Sequence, residues 1–231
     1  MRLLRRKLWL LLLLPILLFC FYEFWFFLHI CWWINHNPSS TRFMESRLEQ
    51  LRSKDARVQL KQQWVPYERI SPNLKRAIIA AEDAKFVDHE GFDWEGIQKA
   101  VEVNQRKGRI VKGGSTITQQ LAKNLFLTGE RSFVRKGQEA IVTYMLEQMM
   151  DKERIFEIYL NVAEWGNGVF GAEAAARHYY GINAAAVDAE QAAILAAMLP
   201  NPRFYERHRN AKGLLKKTEI ILVRMGSVQI P

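Results

Sequence analysis

From Leu8 to Ile34 the chain is almost wholly leucine, phenylalanine, tryptophan and isoleucine, interrupted by Pro15, Glu23 and His29. A run of that length has one economical conformation. It exceeds the roughly 20 apolar residues needed to cross a bilayer, and only a helix satisfies its own backbone amides there. Trp32 and Trp33 at its end suit the membrane–water interface. Arg2, Arg5, Arg6 and Lys7 precede it and should stay on the cytoplasmic side, which sends the remainder of the chain outward. A cleaved signal peptide would have an apolar region of only about 7–15 residues and a small-residue cleavage site. No such site follows this run. The expected organisation is a cytoplasmic tail over 1–7, a signal anchor over 8–34, a membrane-proximal connector over 35–63 and one domain over 64–231.

The formal net charge of +9 and pI of 9.6 point toward an anionic partner. Four of the basic groups belong to the membrane-flanking cluster. Beyond residue 37 the chain has 29 basic and 23 acidic groups, a balance of +6, so nucleic acid is not expected as a partner. Cys20 and Cys31 are the only cysteines and both lie in the apolar run, so the body must be held by its own core.

Helical punctuation organises that body. Ser71 is an N-cap, Pro72 a first helical residue, and Leu74, Ala77, Ile78 and Ala81 form a buried stripe. Glu82 and Asp83 follow, then Phe86, His89 and Gly91. A carboxylate pair at the end of a pinned helix can be presented rigidly to a cleft. Solvated helix-end charges are the plainer alternative. Asp93 caps a helix carrying Ile97, Ala100, Val101 and Asn104, and the basic, glycine-rich stretch from Gln105 to Gly114 reads as a loop. Its charges from Arg106 to Lys112 could act as a flap over an anion.

Thr116 with Gln119 makes a capping box, followed by an apolar face of Ile117, Leu121 and Leu125. Thr116, Gln120, Lys123 and Asn124 form a second, polar face, a set suited to sugar hydroxyls and phosphate. Ser132 caps a helix with Arg135, Lys136 and Glu139 at one-turn spacing; an exposed ion pair is the ordinary reading. Asp151 and Asp188 cap two further helices, and residues 211–225 read as a basic C-terminal helix. The connector should be helical over 44–63. No alternating β-branched run appears, so the body is expected to be all-α.

Five segments in order then resemble one family. They are E-D-x-x-F-x-x-H-x-G at Glu82–Gly91, G-x-S-T-I-T-Q-Q-L-x-K-N from Gly113 to Asn124, R-K-x-x-E at Arg135–Glu139, K-x-x-I-x-E-x-Y-L-N from Lys152, and an alanine-rich stretch from Glu190 to Pro200. The chain is similar over residues 60–205 to the peptidoglycan glycosyltransferases of glycosyltransferase family 51. S-x-x-K, S-D-N and K-T-G elements are missing, so the likeness is to the monofunctional members, without a transpeptidase domain. The resemblance implies a lysozyme-like helical domain behind one transmembrane helix, in a bacterial inner membrane with the domain outside the cytoplasm. It implies lipid II, the nascent glycan strand and membrane lipid as partners, with further cell-wall synthesis and division proteins as an open class.

Carried over residue by residue, the resemblance makes Glu82 the general base and Glu139 the second carboxylate. Lys123, Arg135, Lys136 and Lys152 become diphosphate ligands. Asp83, Phe86 and His89 shape the acceptor side, while Thr116, Gln120 and Asn124 bind sugar or phosphate oxygens. No cofactor is required. Magnesium or manganese at the diphosphate is left open, since no dedicated His/Asp/Glu cluster is seen. Two other readings compete: a lysozyme-like hydrolase or lytic enzyme, and a non-enzymatic envelope scaffold.

Overall fold

A computed structural model describes residues 2–109, 113–127 and 132–231; the side chains of 2–12 are not described. The chain forms two compact units, residues 1–37 and 38–231. The first is a single helix, α1 (Arg2–Asn35), which continues through Pro15. Its stretch Leu13–Asn35 has a mean hydropathy of 1.9 and is long and apolar enough to cross a membrane.

The second unit is a helical body. In order it contains α2 (Arg42–Arg52), β1 (Lys61–Gln62), α3 (Pro72–Glu82), α4 (Trp94–Lys107), α5 (Ile117–Phe126), α6 (Phe133–Met149) and α7 (Lys152–Val162). These are followed by β2 (Glu164–Gly166), β3 (Val169–Phe170), α8 (Ala172–Tyr180), α9 (Ala189–Met198), α10 (Pro202–Arg207) and α11 (Lys212–Arg224). Two packing groups hold it together. α3 lies against α9 and α11, while α5 packs on α6, α7 and α2. The stripe Leu74, Ala77 and Ile78 is fully buried on the first side, and Ile117, Leu121 and Leu125 are buried on the second.

The expected caps form. The Ser71 hydroxyl accepts from Asn73 N–H, Ser132 and Asp151 each cap their helix, and Thr116–Gln119 and Asp188–Gln191 make reciprocal capping boxes. Satisfying the orphan amides of a first turn is a local matter, and these starts follow from it.

Three expectations are corrected. The connector helix stops at Arg52 rather than Gln63, because Lys54 and Asp55 take the next positions of its apolar stripe after Leu51 and a turn closes there. Residues 61–62 become the edge of a small sheet instead, of order β1-β3-β2, with Lys61 opposite Val169 in parallel and Glu164 opposite Phe170 antiparallel. That sheet is short enough to leave the body helical. Thirdly, α4 runs to Lys107 and ends at Gly108 (φ +62°), so the basic stretch begins inside a helix. The flap expected over Arg106 to Lys112 falls partly on residues 110–112, outside the described residues.

Asn161 ties α7 to the segment that leads into α3. Its side-chain amide takes Val65 N–H at 2.9 Å and donates to Val65 C=O at 3.0 Å, a strand-like pairing made by one side chain.

Candidate active site

The neighbours Glu82 and Asp83 point to different tasks. Glu82 is the last residue of α3, with its side chain 13% exposed. Its Oε2 accepts Gln120 Nε2–H at 3.0 Å, and its Oε1 lies 3.5 Å from Lys217 Nζ on α11. Asp83 is buried. Its Oδ2 accepts the backbone N–H of Ile117 at 3.0 Å, and its Oδ1 lies 2.9 Å from His89 Nε2. A carboxylate on the first free amide of α5 favours the positive end of that helix. Asp83 therefore ties the end of α3 to the start of α5, and no hydrogen bond joins it to Glu82 among the described residues.

Thr116, expected to face sugar, is committed within the protein. Its hydroxyl donates to Gly91 C=O at 2.7 Å and accepts Gln119 N–H at 3.2 Å. Gly91 holds φ +83°, and a Cβ there would lie 2.8 Å from Thr143 Cγ2, so the turn requires glycine. Phe86 is fully buried against Phe156, at 5.5 Å between ring centroids. It backs the site rather than lining it. Lys152 donates to Glu147 at 2.8 Å and lies 4.6 Å from the Phe86 ring centroid, and Glu147 also accepts the Thr118 hydroxyl at 2.5 Å. Lys152 thus fastens α7 to α6 through Glu147, which also takes the Thr118 hydroxyl of α5.

The other expected cations gather around Glu139, which is 3% exposed. Arg135 donates to its Oε2 at 2.8 Å, and Lys136 donates to its Oε1. Lys123 joins them electrostatically. Burial holds its ammonium below the usual lysine range, and Arg135 and Lys136 push the same way, while Glu139 and Glu82 pull it back. One cation thus stands in the field of both expected carboxylates.

Two cavities flank the Glu82–Gln120 contact. One, of about 230 Å³, is lined by Gln120, Lys123, Asn124, Tyr159, Arg47, Glu164 and Arg203, with Phe43 and the Leu199–Pro202 turn completing it. The other, of about 200 Å³, is lined by Glu82, Asp83, Asp93, Arg224 and the backbone from Gly113 to Thr116. Arg47 and Glu164 form a buried ion pair in the wall of the first, with Arg47 Nε 2.9 Å from Oε1 and a hydrogen bond from Nη2 to Oε2 at 3.2 Å. Burial raises the Glu164 carboxyl above its ordinary value, and the Arg47 and Arg203 guanidiniums oppose that rise. Among the described residues no cluster of three or more His, Cys, Asp or Glu could hold a metal.

Gln120, Lys123, Asn124, Glu82, Asp83, Thr116, Glu139, Arg135 and Lys136 are thus the expected residues at the cavities or the cation cluster. Sequence reasoning missed Tyr159, Lys217, Arg203, Arg224 and the Arg47–Glu164 pair. Only Tyr159 stood inside a recognised segment, and its hydroxyl donates to Gln120 Oε1 at 3.0 Å.

A carboxylate held by neutral and cationic donors between two cavities, with a cation cluster beside one of them, can deprotonate a hydroxyl while an anion departs. The transglycosylase family model matches residues 48–226. The biosynthetic peptidoglycan transglycosylase of Dechloromonas aromatica is 64% identical over 231 residues, all of both chains. That of Herminiimonas arsenicoxydans is 63% identical over the same full lengths. That of Methylobacillus flagellatus is 61% identical over 220 residues, 95% of this chain and 96% of its own. The chain therefore belongs to the transglycosylase family, as a peptidoglycan glycosyltransferase with a lysozyme-like helical fold.

Proposed function

We propose that the enzyme polymerises glycan strands by an inverting transfer in which Glu82 is the general base. The growing chain, linked to undecaprenyl diphosphate, is the donor, and the 4-hydroxyl of lipid II is the acceptor. Glu82 takes the hydroxyl proton, the new bond forms from O4 to the donor C1, and the C1–O bond to the diphosphate breaks with its electron pair leaving on the diphosphate. A sugar hydroxyl is a weak nucleophile, and a positioned base contributes typically 10²–10⁴-fold. The observation that carries this reading is the asymmetry between the two carboxylates. Both oxygens of Glu139 are held by Arg135 and Lys136, whereas Glu82 faces a cavity and has only the distant Lys217 at Oε1.

Glu139 then acts by holding Arg135 and Lys136 where, with Lys123, they meet the departing diphosphate. Asn124 contributes hydrogen bonds to sugar or phosphate oxygens in the adjoining cavity, while the Gln120 amide is engaged by Glu82. Asp83, His89, Phe86, Thr116 and Lys152 serve by fixing α5 and the site's floor. The donor set does not fit a resident divalent ion, because the carboxylates nearest the cations are already matched to them; magnesium or manganese would arrive with the diphosphate. α1 serves as a single-pass anchor of the inner membrane with its N-terminus cytoplasmic, holding the domain over 64–231 at the lipid surface. Supplying purified protein with lipid II and, separately, with finished glycan tests the reading. It expects β-linked polymer and released undecaprenyl diphosphate from the first and no cleavage of the second; cleavage alone would establish a lytic enzyme.

A further inference from the structure

An ionised carboxylate only accepts, so Gln120 must present its amide N–H to Glu82, and the far end of the amide needs a partner to hold it in place. Gln120 places Nε2 3.0 Å from Glu82 Oε2 and Oε1 3.0 Å from the hydroxyl of Tyr159 on α7. Tyr159 is 1% exposed, and burial, reinforced by the charges of Glu82 and Asp83, pushes its phenol well above the usual tyrosine value. It therefore remains a neutral hydroxyl across the working range. Facing a carbonyl oxygen, that hydroxyl donates. Turning the amide would set Gln120 Oε1 against an anionic carboxylate and lose the hydrogen bond to Glu82, and it would oblige the Tyr159 hydroxyl to accept rather than donate.

We infer that Tyr159 is a positioning residue of the transfer reaction: acting through Gln120, it fixes Oε2 of Glu82 and leaves Oε1 as the oxygen that takes the acceptor proton. The inference rests on Glu82 being the general base. Among the described residues Oε1 is the oxygen with no short hydrogen bond, its contact being Lys217 Nζ at 3.5 Å on a side chain 32% exposed. The step balances without any change at Tyr159. The proton moves from the acceptor O4 to Glu82 Oε1, O4 bonds to the donor C1, and the diphosphate departs with the C1–O pair.

The test is a double-mutant cycle on the full-length protein with lipid II as substrate, using Tyr159→Phe, Gln120→Met and the pair, with melting curves for each. Each single variant should lower kcat about tenfold with KM within about twofold, and the double variant should be no slower than Gln120→Met alone. Wild-type kcat in Tyr159→Phe, or losses that multiply to about a hundredfold in the pair, would overturn the inference. Should Tyr159→Phe fail to fold because Gln120 Oε1 is left unpaired, the double variant replaces both partners by apolar groups and restores the comparison with Gln120→Met. Glu82→Gln, run alongside, separates the two levels. Full turnover there removes the base itself, whereas loss there with an unresponsive Tyr159→Phe removes only the positioning role.

Discussion

Lys123 explains why the charges of this site come as a set. Three cations, Lys123, Arg135 and Lys136, would repel one another without the carboxylate of Glu139 among them. Because burial and its two cationic neighbours hold Lys123 below the ordinary lysine range, it loses its proton sooner than an exposed lysine as pH rises. Each ammonium lost removes one charge available to a departing diphosphate. The alkaline limb of the pH–rate profile should therefore begin below pH ~10.4, the reference lysine value. Lys123→Arg, which does not titrate in that range, should move the limb upward; a variant profile superimposed on wild type would show that another group governs it. Glu82, Glu139 and the cations were legible in the sequence because each motif lies within one or two helical turns. Tyr159 and Lys217 were not. Each meets the site across 39 and 135 residues respectively, and in isolation one is a tyrosine on an apolar face and the other a lysine on a basic helix.

The start of α5 is the element on which the cleft depends, since it carries Gln120, Lys123 and Asn124. Its first turn is held by the Thr116–Gln119 box and, from another helix, by Asp83 on Ile117 N–H. Asp83→Ala removes a charged cap and strands His89, whose Nε2 has Asp83 as its partner. The expected cost is about 2 kcal/mol, which lowers the melting temperature by roughly 4–8 °C for a domain of this size. A melting curve within a degree of wild type would show that Asp83 does not hold α5. Helix starts could be read in advance because a cap and its amides are neighbours in sequence. The small sheet could not: strands of two or three residues have no period to detect, and β1 finds its partner only because Asn161 and the β2–β3 hairpin stand beside it.

At the scale of the whole molecule, the proposed function assigns the apolar helix and the body to one substrate. A donor and an acceptor both confined to a bilayer are met more often by a domain tethered there, because tethering raises effective concentration without adding a contact. Removing residues 1–35 should leave turnover of detergent-dispersed lipid II within about threefold of wild type and lower turnover in vesicles by at least tenfold. Equal losses in both settings would mean that the helix supports the fold rather than the encounter. The helical class, an N-terminal helix long and apolar enough to cross a membrane, and the order of the motifs were readable from pattern alone. The closing of the two cavities around Glu82 was not, because α10 and α11 contribute Arg203, Lys217 and Arg224 from a region that reads only as basic. The most direct measurement is the initial rate of labelled lipid II polymerisation by wild type and by Glu82→Gln at equal, folded concentration. The account predicts a loss of about 10²–10⁴-fold in kcat, with donor binding retained; a Glu82→Gln enzyme within a few-fold of wild type would contradict it.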